Sequence, residues 1–127
     1  MKIPFLNKLV MAGFPSPAAD YLEKPINLHQ YLITNEPATF MARVAGESMK
    51  GAGIFAGDIV VIDRSLTPIS GQVIVAILDG GLVVKQWIVE GEKKFLRSAN
   101  TDYPDVVITE SSDFLVWGVV SAVVRKL

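Results

Sequence analysis

The chain contains no cysteine. This excludes disulfide scaffolds, thiolate metal sites and cysteine nucleophiles at once. It holds one histidine, His29, so a metal site built on two imidazoles is out, and a Ser-His-Asp triad would depend on a single residue. Neither sign of charge is in excess: 12 Lys and Arg stand against 13 Asp and Glu, a formal net charge of −1. The sequence pI is about 5.8 and no basic patch stands out, which argues against direct binding of duplex DNA through phosphate neutralisation. No apolar run approaches the roughly 20 residues needed to cross a bilayer. The opening segment MKIPFLNKLVMAG has early lysines, but Pro4, Asn7 and Lys8 interrupt it and leave only Leu9 to Ala12 unbroken. That is short of the roughly 7–15 residues of a secretory signal core, so a cytoplasmic protein is expected.

What is present is apolar and β-prone. Half of the 127 residues are hydrophobic, enough for one domain with a sizeable core and no covalent staple. Residues 1–27 stand apart. GFPSPAADYLEKPI carries Pro15, Pro17 and Pro25, which oppose regular structure and favour extended chain. We read 1–27 as an arm, with one short helical turn near Ala18 to Glu23, and 28–127 as a β-rich domain. From His29 onward, eight runs read as strands: YLI, TFMARVAG, DIVVID, GQVIVAIL, GLVVKQWIV, KKFLRS, VVIT and FLVWGVVSAVV. Asp79-Gly80-Gly81 lies between two of them and marks a tight hairpin, because those residues accept positive φ. Short strands at this spacing predict a mostly β fold of curled, barrel-like antiparallel sheets. No helix-turn-helix pattern, internal repeat or low-complexity segment is found.

Two residues break the pattern in ways that chemistry can use. Ser48 sits in the Gly-rich turn of AGESMKGAGIFAGDIVVID. A serine hydroxyl is a poor nucleophile until a base takes its proton. Lys85 interrupts GLVVKQWIV among Val83, Val84, Trp87 and Ile88. Desolvation lowers a lysine's pKa, and a neutral amine can serve a serine as general base. Backbone N–H groups of the turn, those of Ser48 and Glu47, would face an oxyanion. Plainer readings stand beside these: a serine in such a turn is usually only a turn residue, and a lysine in a strand usually points to solvent. His29 reads as a surface or capping residue. GAGIFAGD superficially matches a phosphate loop, but it leads into a strand and lacks a lysine and a helix N-terminus.

GESMKGAGIFAGDIVVID resembles the serine block of the LexA/UmuD family of self-cleaving proteins, and LVVKQW resembles that family's lysine strand. Lys85 follows Ser48 by 37 residues, a separation that suits the family. AGFPSPAADYLEKPINLHQYLI resembles its processed N-terminal segment, in which a small residue before GFPSPA marks the cut. The likeness runs from Leu9 to the C-terminus. It is weakest over 90–113, where SAN followed by YP is the part that matches.

The resemblance implies a serine–lysine peptidase acting on itself, with Ser48 as nucleophile, Lys85 as general base and Ala12-Gly13 as the scissile bond. It also implies a homodimer whose shortened form is a subunit of an error-prone, UmuC-type translesion DNA polymerase in the SOS response. Cleavage would be stimulated by RecA filaments on single-stranded DNA. Neither metal nor small cofactor is implied. The segment itself agrees with the placement: Ala12 suits a tight pocket, Gly13 allows close backbone approach, and KLVMA can add to a sheet edge as an extended strand. The C-terminal run FLVWGVVSAVVRKL is as readily part of a dimer interface as a plain core strand. The rival readings are a catalytically inactive dimeric regulatory module and a signal-peptidase-like hydrolase, the latter expected to need a membrane anchor. A LexA-like repressor would need a DNA-reading domain before residue 28.

Overall fold

The computed structural model describes residues 1–6, 9–14 and 22–127. The chain divides into two compact units, Met1–Thr34 and Asn35–Leu127.

In the first unit, β1 (Lys2–Leu6) pairs antiparallel with β2 (Leu22–Asn27). The register shifts between Ile3 and Phe5, at Pro4, which has no N–H to give to a ladder and is tolerated where pairing lapses. The helical turn expected near Ala18 to Glu23 lies outside the described residues up to Tyr21, and Leu22 and Glu23 belong to β2. The expected strand at YLI is a correction: Leu28–Leu32 is a short helix, α1. Its cause is local. The Asn27 side chain accepts from the Gln30 amide at 3.1 Å, an N-cap that satisfies one of the orphan donors of the first turn.

The second unit is one seven-stranded antiparallel sheet. Its strands are β3 (Thr39–Arg43), β4 (Ile59–Asp63), β5 (Val73–Leu78), β6 (Gly81–Glu90), β7 (Lys93–Arg97), β8 (Val106–Ile108) and β9 (Phe114–Val124), in the order β3-β4-β9-β5-β6-β7-β8. Seven of the eight expected strands are therefore found. The antiparallel, mostly β architecture is as expected, and the sheet is open, with β3 and β8 at its edges. Asp79 and Gly80, at φ 49° and 83°, form the two-residue loop joining β5 to β6, with Leu78 opposite Gly81. Positive φ at both central positions matches the twist of the flanking strands. The 11 residues of β9 pair with β5 through one half and with β4 through the other, both ladders including Val119.

The core forms two clusters. Val44, Met49, Ile54, Val60, Ile62 and Val75 make one, and Ile74, Ala76, Trp87, Leu96 and Val119 the other. Consecutive β5 residues Ile74 and Val75 go to different clusters, as the period of two along a strand requires. That is why the strand reads as a continuous apolar run. One feature of the ladder sets up the site. β6 pairs with β5 along Gly81–Gln86, whereas its pairing with β7 begins only at Gln86. The stretch Gly81–Lys85 thus has a ladder on one side only, and Lys85 stands where the second ladder starts.

Candidate active site

The serine turn is anchored by the residue that follows the serine. Met49 is 2% exposed and packs with Val44, Ile54, Val60, Ile62 and Val75. Burying a methionine is worth about 1.5–3 kcal/mol, and that burial draws the turn onto the core while leaving Ser48 half-buried at the surface. Lys50 donates to the Glu47 carbonyl at 3.2 Å, and Ala52 and Ile54 both donate to the Met49 carbonyl, at 3.0 and 3.2 Å. The following turn is pinned by Asp58, which is 3% exposed. Its carboxylate accepts from Arg125 Nη2 at 2.6 Å and from the Phe55 amide at 2.8 Å. The Arg125 hydrogen bond, and then that from Phe55, hold the Asp58 pKa down at about 2.

Ser48 and Lys85, distant in sequence, line one cleft of about 220 Å³, whose other walls are Val44, Ala45, Met49, Leu82, Val83 and Val84. Among the described residues, neither the hydroxyl nor the amide of Ser48 is engaged in a hydrogen bond, nor is the amide of Glu47. The amides of Lys50, Gly51, Ala52 and Gly53 are all engaged within the fold. The hydroxyl and these two amides remain available to a ligand.

Lys85 is half-buried, and burial lowers its pKa below the ordinary lysine value. The cause is the loss of water around the ammonium, and no carboxylate contributes. Its Nζ donates to Ser98 Oγ at 2.6 Å and lies 5.3 Å from the ring centre of Tyr103. An amine whose charged form is disfavoured in this way is suited to take a proton from a neighbouring hydroxyl.

Ser98 and Tyr103 were not among the residues singled out from the sequence, although both lie in the SAN…YP pattern. The signal was the hairpin register. Glu90 pairs with Lys93, and Gln86 with Arg97, so one further step along the same register sets Lys85 across from Ser98. Ala12 and Gly13 belong to the other unit. Both are exposed, and the position a Cβ of Gly13 would occupy is open space. Leu9, Val10 and Met11 before them are 84, 83 and 52% exposed. Pro15 and Pro17 lie outside the described residues. No helix among the described residues is long and apolar enough to cross a membrane, and no group of three or more His, Asp or Glu among them could hold a metal ion.

Comparison with known proteins gives consistent relatives. A family profile described as Peptidase S24-like matches residues 4–121. The protein MucA of Salmonella typhimurium is 38% identical over 120 residues, which cover 94% of this chain and 82% of that one. The protein SamA of Salmonella typhimurium strain LT2 is 37% identical over 123 residues, 97% of this chain and 85% of its own length. The LexA repressor of Syntrophotalea carbinolica is 36% identical over 128 residues, 98% of this chain and 60% of the repressor.

Proposed function

The chain belongs to the peptidase S24-like family, and from that premise we propose that it cuts its own Ala12–Gly13 bond with Ser48 as nucleophile and Lys85 as general base. The observation that carries the reading is the shared cleft. A serine with an unengaged hydroxyl and a lysine with a depressed pKa line one small apolar cavity.

The chemistry follows from the groups present. The neutral Lys85 amine removes the Ser48 proton as Oγ attacks the Ala12 carbonyl carbon. Negative charge develops on the carbonyl oxygen, where the Ser48 and Glu47 amides can donate to it. The C–N bond then breaks, and the Lys85 ammonium returns its proton to the departing Gly13 nitrogen. The neutral amine next activates a water against the Ser48 ester. The products are a segment ending in the Ala12 carboxylate and a chain beginning at Gly13. The one-sided ladder of β6 at Gly81–Lys85 offers unpaired backbone groups to an extended KLVMA segment, as strand addition requires. A segment seated against the apolar walls would expel water from around the amine.

The same reading carries the partners that the resemblance implies. The protein acts as a homodimer in the SOS response, its shortened form joins a UmuC-type polymerase, and a RecA filament on single-stranded DNA favours the cleavage-competent state. A filament that shifts this population, without adding catalytic groups, raises the rate most at neutral pH. The test is incubation of the purified full-length chain, with intact-mass measurement and N-terminal sequencing of products. The expected result is a new N-terminus at Gly13 that is absent in Ser48→Ala. A cut elsewhere, or the same cut in Ser48→Ala, would refute the assignment.

A further inference from the structure

We infer that the Ser98-Ala99-Asn100 segment is the positioning element of this site, Ser98 aiming the Lys85 amine while Ala99 and Asn100 hold the Ser48 turn. The inference rests on the Ser48–Lys85 reading and adds to it the part that keeps the two groups in register.

Three consecutive residues contact both sides of the cleft. Ser98 Oγ accepts from Lys85 Nζ at 2.6 Å. The Ala99 carbonyl accepts from the Gly51 amide at 2.6 Å. Asn100 Nδ2 donates to the carbonyl of Glu47, the residue before Ser48, at 3.0 Å. The turn therefore is held on both flanks of the serine by the strand end that also holds the lysine. The approach is close enough that a Cβ on Gly51 would run into the Ala99 carbonyl, so glycine is required there for lack of room. The anchor is itself fixed: Ser98 is 9% exposed and directly follows β7.

A lysine needs such an anchor more than most bases do. Its amine swings on a flexible four-carbon stem, and a base displaced by about 1 Å can lose about a hundredfold in rate. The chemical type of the anchor also matters. A carboxylate at position 98 would favour the ammonium and restore the charge that burial removes. A neutral hydroxyl accepts an N–H from amine and ammonium alike, so it holds Nζ while the proton comes and goes. Among the described residues, the polar and aromatic groups placed against Lys85 are this hydroxyl and the Tyr103 ring, and Ser48 lines the same cleft.

The experiment is the pH–rate profile of self-cleavage in the full-length chain, followed by intact mass, for Ser98→Thr, Ser98→Val, Asn100→Ala and Lys85→Ala. Threonine and valine add nearly the same bulk and differ by the hydroxyl, so their difference isolates the hydrogen bond. Thermal melts set every rate on the same folded fraction. Ser98→Thr is expected within a few-fold of the unchanged protein. Ser98→Val is expected to lose about a hundredfold at the alkaline plateau. Its midpoint should move to lower pH, because the hydroxyl, although it accepts from both forms, accepts more strongly from the charged ammonium, and that preference is gone. A merely structural role would lower stability without moving that midpoint. Asn100→Ala should lower the plateau and leave the midpoint in place, its contact being on the serine side. Matching profiles for valine and threonine, or full activity in Asn100→Ala, would overturn the inference. Should both bulky variants fail to fold, Ser98→Ala against the unchanged protein makes the same comparison. Undiminished cleavage in Lys85→Ala would overturn the underlying reading and this inference together. Loss in Lys85→Ala with no hydroxyl effect at position 98 overturns the inference alone.

Discussion

Residues 1–34 and residues 35–127 use the same apolar side chains in opposite ways. In the first unit no described residue is buried, and Leu9, Val10 and Phe14 are 84, 83 and 89% exposed. In the second, Val60, Ile74, Ala76 and Leu96 are at 0%. Hydrophobicity is not what separates them. The second unit strings its apolar residues into strands that a seven-stranded sheet can join. The first has prolines at 4, 15, 17 and 25 and a two-stranded ladder with a lapse at Pro4, and two strands rarely bury much alone. Contiguous exposed apolar residues mark a surface that something else covers. On the proposed reading the cover is a cleft rather than a core, and a segment already committed to a core could not be surrendered to a cleft. The contrast is then between a substrate segment and a catalytic scaffold.

The sharpest way to break that contrast is at the nucleophile. Ser48→Ala should lower cleavage by several orders of magnitude and leave the melting curve in place, since its hydroxyl has no hydrogen-bond partner among the described residues. Comparable processing in that variant removes catalysis from the second unit. Next comes the base. The neutral amine is the active form, so the rate should climb with pH, by up to about tenfold per unit, and level off below the ordinary lysine value of about 10.4. Lys85→Arg should be inactive throughout, because a guanidinium stays charged. The climb should survive His29→Ala, and its loss there would assign the titration to the histidine. On the substrate side, Ala12→Asp should slow cleavage by roughly a hundredfold or more, since a charged side chain must shed water to enter an apolar cleft. Ser48 and Lys85 stay intact in that variant, and unchanged processing would mean that Ala12 is not read by the cleft.

Stability measurements sharpen the same comparison with smaller effects. Leu96→Ala should cost about 2–5 kcal/mol in denaturant unfolding, because it opens a cavity in the Trp87 cluster. Met11→Ala should stay within about 0.5 kcal/mol. A cost at Met11 equal to that at Leu96 would mean that the arm residue is packed as deeply as a core one. The smallest effect is the acid limb of stability. The Asp58 carboxylate is depressed to about 2 by Arg125 and the Phe55 amide. Its contribution is therefore complete above about pH 4, where an unfolded aspartate is ionised, and is lost as pH falls toward 2. Asp58→Asn should flatten that part of a melting-temperature profile, and an unchanged acid limb would rule the pair out as its source.

The sequence by itself determined the features that depend on near neighbours. The β5–β6 hairpin was legible because Asp79 and Gly80 tolerate positive φ, and the strands were legible from their continuous apolar runs. Ser48 and Lys85 stood out as polar residues in apolar or turn settings, and the family likeness joined them. The helix at 28–32 was within reach of a local reading too, through the Asn27 cap, but the β-prone residues after it pointed the other way. What only the tertiary structure decided is which distant residues face one another. Ser98 meets Lys85 because β6 and β7 pair in one register. Asn100 meets Glu47 because the end of β7 returns to the serine turn, and Arg125 meets Asp58 because β9 lies beside β4. A strand shows its own period of two, but a register slip of one residue would move every such contact to the other face. The packed sheet, not the local pattern, selects the register, and with it the partner of each catalytic candidate.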